Sequence, residues 1–369
     1  MDCTLTSSAQ KIACVVGARP NFVKMAPLLR ELESRGADCT LIHTGQHYDK
    51  SLSDVFFEDL DIRQPDISLG IGSGTHGQQT ARVLEAIEQV LIEKQFDTLV
   101  VVGDVNSTMA ATLAAAKLGV SVAHVEAGLR SFDRGMPEEI NRIVTDSISD
   151  HLLVSEPAGV ENLLREGQDE SKIKLVGNIM IDTLLSRLDA ARERDVPTRL
   201  GVTPKEYAVV TLHRPSNVDD QETLAGIVAA LAEIAKNVPI VFPIHPRTKK
   251  QLETFDLLSD VEKCPGIQFS GPLGYLDFLS LTSSARLIVT DSGGLQEEST
   301  ALCVPCLTMR ANTERPITVD EGSSTLIGND ANLLRKHYHD IISGSYKQTT
   351  CPDLWDGKAA VRISDALLR

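Results

Sequence analysis

The sequence predicts an α/β protein made of two Rossmann-like domains. Short apolar runs alternate with helix-length amphipathic segments from end to end, the pattern of strand–helix–strand units. Most of the runs are continuously apolar, as expected for parallel strands covered on both faces. The chain has 369 residues, more than one ordinary core accommodates, so two domains are expected.

In the first half, the predicted strands are 12–16, 40–44, 98–103, 121–125, 151–155 and 173–176. In the second half they are 208–212, 240–244, 267–270, 286–290, 305–309 and 325–327. A boundary is expected between residues 178 and 205. There the polar stretch Ser186–Arg194 leads to Val196-Pro197 and Thr203-Pro204, and the chain restarts with a strand. Two similar halves fit two facing domains with a cleft at the carboxyl ends of their strands.

Hydrophobic residues make up 42% and charged residues 24%, a globular composition. The net charge of −15 argues against nucleic acid or an anionic membrane as partner. A few Arg and His lining one cleft still suffice for a small anionic substrate. No apolar run reaches bilayer length, and residues 1–7 lack a basic, then apolar, leader. Seven cysteines, at 3, 14, 39, 264, 303, 306 and 351, do not form a disulfide framework and suit a reducing cytoplasm. Cys303-Val-Pro-Cys306 stands at the start of a strand, so it reads as two packed thiols, not a redox motif. A zinc deaminase needs P-C-x-x-C after H-x-E. His124-Val-Glu126 supplies the first half, but Met309 stands where the last Cys belongs. No metal is expected.

The densest functional signal is Leu287-Ile-Val-Thr-Asp-Ser-Gly-Gly-Leu-Gln-Glu-Glu298. A strand runs into a helix through Ser292-Gly293-Gly294. Glycines allow close approach to a ligand, and a helix N-terminus offers unpaired N–H groups and partial positive charge. Together they make a phosphate site. One turn further, Glu298 can accept two hydrogen bonds from a ribose diol, or merely favour the helix start. A second glycine motif, Gly72-Ser-Gly74-Thr-His-Gly77, follows only a very short candidate strand, 67–69. It reads as a loop and helix cap, not a dinucleotide fingerprint.

Polar residues follow nearly every other strand, where α/β folds place function. After the first come Arg19 and Lys24, both able to meet phosphate. Next are Gln46-His47-Tyr48-Asp49, then Gly103-Asp104, then His124-Val-Glu126-Ala-Gly128-Leu-Arg130. Pro137 can open a helix on which Glu138 and Arg142, four apart, share a face; an exposed ion pair is the plain alternative. If Asp104, Glu126 and Glu138 converge, their mutual influence separates their pKa values into an acid and a base. In the second half, His213-Arg214, His245-Pro-Arg247 and Arg310 with Arg315 follow strands and suggest a diphosphate site. Tyr275 and Phe278 flank a loop that could hold a base ring; core packing explains Phe278 equally well.

Seven ordered blocks then carry a resemblance over nearly the whole chain: 17–27 (GARPNFVKMAP), 45–49 (GQHYD), 124–130 (HVEAGLR), 137–142 (PEEINR), 211–214 (TLHR), 290–298 (TDSGGLQEE) and 313–316 (TERP). In these the chain closely resembles the non-hydrolysing UDP-N-acetylglucosamine 2-epimerases. The resemblance implies a glycosyltransferase-B-type fold whose C-terminal helix, 357–368, crosses back to the first domain. The implied domains are 1–180 plus 355–369, on the sugar and acid–base side, and 181–354, on the UDP side. It implies interconversion of UDP-N-acetylglucosamine and UDP-N-acetylmannosamine, without NAD or metal, by elimination and re-addition of UDP through a 2-acetamidoglucal. By resemblance, Arg19, His213, Ser292, Gly293 and Gly294 hold the diphosphate, Glu298 the ribose, and Phe278 lies near uracil. Asp104, Glu126 and Glu138 form the acid–base set, and Arg142 and Arg315 orient or neutralise charge near the sugar. The resemblance also implies a homodimer.

Three departures matter. The commonest bacterial form has Glu-Ala-Ile where this chain has Asn21-Phe22-Val23. Arg-Arg-Glu-Asn becomes Arg214-Pro-Ser-Asn217. An activator-binding Gln-His-Arg becomes Gln46-His47-Tyr48, so weak activation by a second substrate molecule, or none, is expected. A sister group acting on UDP-2,3-diacetamido-glucuronate carries Gly-Ala-Arg-Pro-Gln-Phe, and Asn21-Phe22 leans partway toward it. A glycosyltransferase of the same architecture and a UDP-sugar sensor are the competing readings.

Overall fold

The computed structural model describes residues 9–45, 57–271 and 273–368. Gln46 to Asp49, and with them the expected activator contacts, lie outside the described residues. The chain divides into two compact units, 1–183 with 354–369 and 184–353. It passes from one to the other inside the helix Ile179–Glu193.

The first unit contains a seven-stranded parallel sheet in the order β3-β2-β1-β4-β5-β6-β7. Its strands are β1 (Lys11–Val16), β2 (Asp38–His43), β3 (Ile67–Ser68), β4 (Thr98–Val102), β5 (Ser121–Ala127), β6 (His151–Val154) and β7 (Ile173–Leu175). The second contains six parallel strands in the order β10-β9-β8-β11-β12-β13. These are β8 (Ala208–Thr211), β9 (Ile240–Pro243), β10 (Ile267–Ser270), β11 (Leu287–Thr290), β12 (Cys306–Thr308) and β13 (Ser324–Leu326). Both are Rossmann orders, reversing direction between β1 and β4 and between β8 and β11. Every strand expected from an apolar run is present. β4 is buried at all five positions and β11 at all four, which is why each reads as an unbroken run.

The same device closes each reversal point. In the first unit, Asn21 Oδ1 accepts from the N–H groups of Gly17 (3.1 Å) and Ala18 (2.8 Å), while its Nδ2 donates to Val102 O (2.9 Å). One side chain thus ties the turn after β1 to the end of β4. An ionised Glu there could accept but not donate. In the second unit, Asp291 Oδ2 accepts from the N–H groups of His213 (2.9 Å) and Arg214 (2.8 Å) and from Asn217 Nδ2 (3.0 Å). Asn217 also donates to Met309 O at 3.0 Å.

The final helix, Ala359–Leu367, packs on the helix Arg19–Ser34 within the first unit. Asp182 caps it, accepting from the N–H groups of Ala359 (3.1 Å) and Ala360 (2.8 Å). The Gly72–Gly77 motif is a loop whose Thr75 caps the helix His76–Lys94, with Gln78 completing a capping box. The Cys303–Cys306 expectation is half corrected. Cys306 is buried in β12, but Cys303 is exposed, because the turn before the strand holds it at φ +52°.

Candidate active site

In the first unit, three charged groups come to the reversal point: Lys24 from the helix after β1, Asp104 from the loop after β4, and Glu126 from an irregular position near the end of β5. Gly103 follows β4 at φ +68°, and a Cβ there would lie 3.4 Å from both Asn21 Nδ2 and Lys24 Nζ and 3.7 Å from Glu126 Oε2. The backbone thus packs directly on an ion pair: Lys24 Nζ donates to Glu126 Oε2, with both side chains buried. Lys24 is engaged by a carboxylate 102 residues away, a partner no local pattern reveals. Glu126 has φ +72°, a conformation L-residues rarely adopt.

Asp104 follows Gly103. Its Oδ2 accepts from Arg142 Nη1 at 2.5 Å, and its backbone oxygen accepts from Asn141 Nδ2 at 2.9 Å. Asp104 keeps 30% of its side chain exposed, whereas Arg142 keeps 2%. The expected Glu138–Arg142 pairing is corrected. Arg142 bonds instead to Glu139, through Nε (3.1 Å) and Nη2 (2.8 Å) to Oε2. Glu138 is half-buried on the same first turn. Burial works to raise the Glu139 pKa, but the Ser131 N–H and Arg142 outweigh it and hold the carboxyl below its ordinary value.

Beneath these groups His124 is fully buried. Its Nε2 lies 2.9 Å from Gly103 O and its Nδ1 2.6 Å from Asp146 Oδ1. Asp146 Oδ2 meets Gly128 N at 3.0 Å and Arg130 Nη1 at 2.7 Å. Burial opposes ionisation of Asp146, but His124 and Arg130 prevail and depress its pKa. His124 therefore braces the Gly103 carbonyl just before Asp104. Its two ring nitrogens are both occupied, which leaves neither for a metal. Among the described residues, no group of His, Cys, Asp and Glu could hold a metal ion. Arg19 is exposed on the first turn of its helix.

In the second unit, the helix Gly293–Ala301 starts directly after β11, and Ser292 is its N-cap without a side-chain cap bond. The Ser292 N–H donates to Thr290 Oγ1 at 3.0 Å, which leaves the hydroxyl and the first-turn N–H groups to meet an anion. A Cβ on Gly293 would meet Arg310 Nη1 at 3.6 Å and both Arg315 Nη1 and Glu314 Oε1 at 3.7 Å, so two guanidinium groups and the carboxylate paired with them stand beside that helix start. Arg315 Nε pairs with Glu297 at 2.5 Å and Arg310 Nη2 with Glu314 at 2.6 Å. Burial raises the Glu314 pKa, but Arg315 and Arg310 bring it down to about 2. His213 Nδ1 lies 2.7 Å from Asp291 Oδ1, so Nε2 points away from that carboxylate. Burial of Asp291 is outweighed by His213 and the Arg214 N–H, so the carboxyl sits below its ordinary range. The His245 ring lies 5.4 Å from His213, and burial, then the His213 charge, lowers its pKa. Arg247 is exposed and paired with Asp219.

Glu298 is buried, and its pKa is pushed up to about 8, first by burial and then by Glu297. A carboxylate that served the helix start would be shifted the other way. Phe278 is half-buried against the core residues around Tyr207, Leu281 and Ile288. Tyr275, one turn earlier, is buried, which raises its pKa, and the Glu298 charge adds to the rise.

Several members of these clusters were not singled out from sequence: Glu139, Asp146, Asn21, Asn217 and Asp291. All but Asp146 lie inside quoted motifs, so the signal for them was present, but their partners are set by loop geometry.

The family model for UDP-N-acetylglucosamine 2-epimerase matches residues 30–368. A curated relative from Methanocaldococcus jannaschii, UDP-N-acetylglucosamine 2-epimerase, is 46% identical over 96% of this chain and 97% of its own. A Pseudomonas aeruginosa relative, UDP-2,3-diacetamido-2,3-dideoxy-D-glucuronate 2-epimerase, is 42% identical over 86% and 88%. The crystal structure of the M. jannaschii UDP-GlcNAc 2-epimerase, in complex with UDP-GlcNAc and UDP, superposes with TM-score 0.87 at 44% identity, covering 97% of this chain and 99% of that one. Two parallel sheets of Rossmann order, a glycine turn opening a helix beside paired arginines, and this breadth of similarity agree: the chain belongs to the UDP-N-acetylglucosamine 2-epimerase family.

Proposed function

We propose that this protein interconverts UDP-N-acetylglucosamine and UDP-N-acetylmannosamine by elimination and re-addition of UDP. A carboxylate of the first unit removes the C2 proton. The C2–H electron pair becomes the C1=C2 double bond of a 2-acetamidoglucal, and the C1–O pair leaves with UDP. Return of a proton to the opposite face of C2, with re-attack of UDP oxygen at C1, completes the inversion. Proton and electron count balance without an oxidant or metal.

One observation carries the reading. The first unit's reversal point sets Asp104 next to the Gly103 that packs on Glu126, with Glu138 on the helix whose Asn141 and Arg142 bond Asp104, while the second unit gathers His213, the Ser292–Gly294 turn and two guanidinium groups. That is the division an elimination needs, with bases for the proton and donors for the departing diphosphate. In this reading Arg19, Arg247 and Arg315 add positive charge for the diphosphate or sugar, and Lys24 holds Glu126 in place. Glu298 accepts the ribose hydroxyls and Phe278 offers a face to uracil. Asp104→Asn tests the acid–base assignment. Turnover should fall at least about a hundredfold, the lower end for a lost acid–base group, with UDP affinity unchanged. Unchanged turnover would remove Asp104 from the set.

The second reading, epimerisation of UDP-2,3-diacetamido-glucuronate, is favoured by the 42% identity to an enzyme of that name. Parallel assays with both nucleotide sugars separate the two.

A further inference from the structure

We infer that Glu139 is a positioning residue, setting Arg142 so that a single N–H fork is presented to Asp104. This rests on the proposed acid–base role of Asp104. Glu139 is 1% exposed and cannot itself reach a substrate. Its Oε2 accepts from Ser131 N (2.9 Å), Ser131 Oγ (3.1 Å), Arg142 Nε (3.1 Å) and Arg142 Nη2 (2.8 Å). Its Oε1 accepts from Phe132 N at 3.0 Å. One carboxylate therefore joins the loop after β5 to the helix Pro137–Ile148.

The consequence lies in what remains of Arg142. A guanidinium offers its donors in a fixed planar fork. With Nε and Nη2 on Glu139, Nη1 is the group that meets Asp104, at 2.5 Å. Glu138 lies four residues before Arg142, the spacing at which a helical carboxylate ordinarily captures a guanidinium. Glu139 occupies the donors Glu138 would claim, which leaves Glu138 available for chemistry. The anchoring loop is held in an unusual state. Phe132 has φ +59° and is 67% exposed, with the Arg165 guanidinium carbon 5.3 Å from its ring centroid. Its N–H bond to Glu139 is one restraint on that conformation. Loss of the Glu139 charge frees both ends at once: the loop relaxes, and Arg142 turns toward Glu138.

The test uses Glu139→Gln and Glu139→Asp in the full chain. Initial rates on UDP-N-acetylglucosamine, UDP binding by calorimetry, and the kinetic isotope effect with C2-deuterated substrate are compared with wild type. The inference expects kcat to fall about tenfold or more, as for a displaced catalytic group. KM and UDP affinity should stay near wild type, and the isotope effect should rise as C2–H cleavage becomes slower than the other steps. A purely structural residue would lower the folded fraction and leave the isotope effect alone. That outcome, in a variant folded by circular dichroism, overturns the inference. If the Gln variant does not fold, the Asp variant, whose shorter arm keeps the charge but draws the carboxylate away from Arg142, is expected to show the same fall in kcat and rise in isotope effect. A wild-type protein that never exchanges the C2 proton would instead sink the proposed reaction, and this inference with it.

Discussion

Glu298→Gln should stabilise the ligand-free protein, and increasingly so as pH rises. The side chain is buried, and its pKa moves from 4.5 to about 8. Between those values the folded chain holds a proton that the unfolded chain releases. Stability from this group is therefore complete below about pH 4.5 and is lost as pH rises through about 8. At about 1.4 kcal/mol per pH unit, the whole loss has a ceiling of about 5 kcal/mol. Gln mimics the protonated acid and does not titrate, so the variant escapes the loss. With about 2–4 °C per kcal/mol for a domain of this size, the melting temperature of the variant relative to wild type should climb several degrees between pH 5.5 and pH 8. Thermal melts of both proteins in matched buffers measure it. A difference that stays flat, or shrinks with pH, would show that Glu298 is ionised in the folded protein and would refute the reasoning. The same substitution should weaken UDP binding above pH 8, where the lost carboxylate is the acceptor for the ribose hydroxyls.

Two further substitutions test the frame of the first unit. Asp182→Ala removes both cap bonds of the final helix and should cost about 1–2 kcal/mol, with amide exchange accelerated across 359–367. Gly128 has φ +81°, and a Cβ there would lie 2.3 Å from Gly159 O. Gly128→Ala should therefore cost about 2–4 kcal/mol, from the left-handed penalty plus the clash, read as a lower melting temperature.

Fold and site were legible to different depths. Strands such as β4 and β11 announced themselves because parallel strands are buried on both faces and need no polar alternation. β3, two residues long, carries too little pattern to be more than a suggestion. Glycine turns and strand-end cations were legible because they depend on local backbone chemistry. Pairings were not. Lys24 read as a free phosphate cation, yet it meets Glu126 across the reversal point. Helical spacing put Glu138 on Arg142, but the N–H groups of Ser131 and Phe132 draw Glu139 inward, and Arg142 follows it. Local spacing cannot weigh a loop folding back. The raised pKa of Glu298 is likewise a property of burial, invisible in a polar-looking helix start.

The most direct test of the proposed reaction is incubation of the purified protein with UDP-N-acetylglucosamine in D₂O, followed by proton NMR. The account predicts deuterium at C2 together with a new UDP-N-acetylmannosamine anomeric signal. No C2 exchange and no new anomer would contradict it.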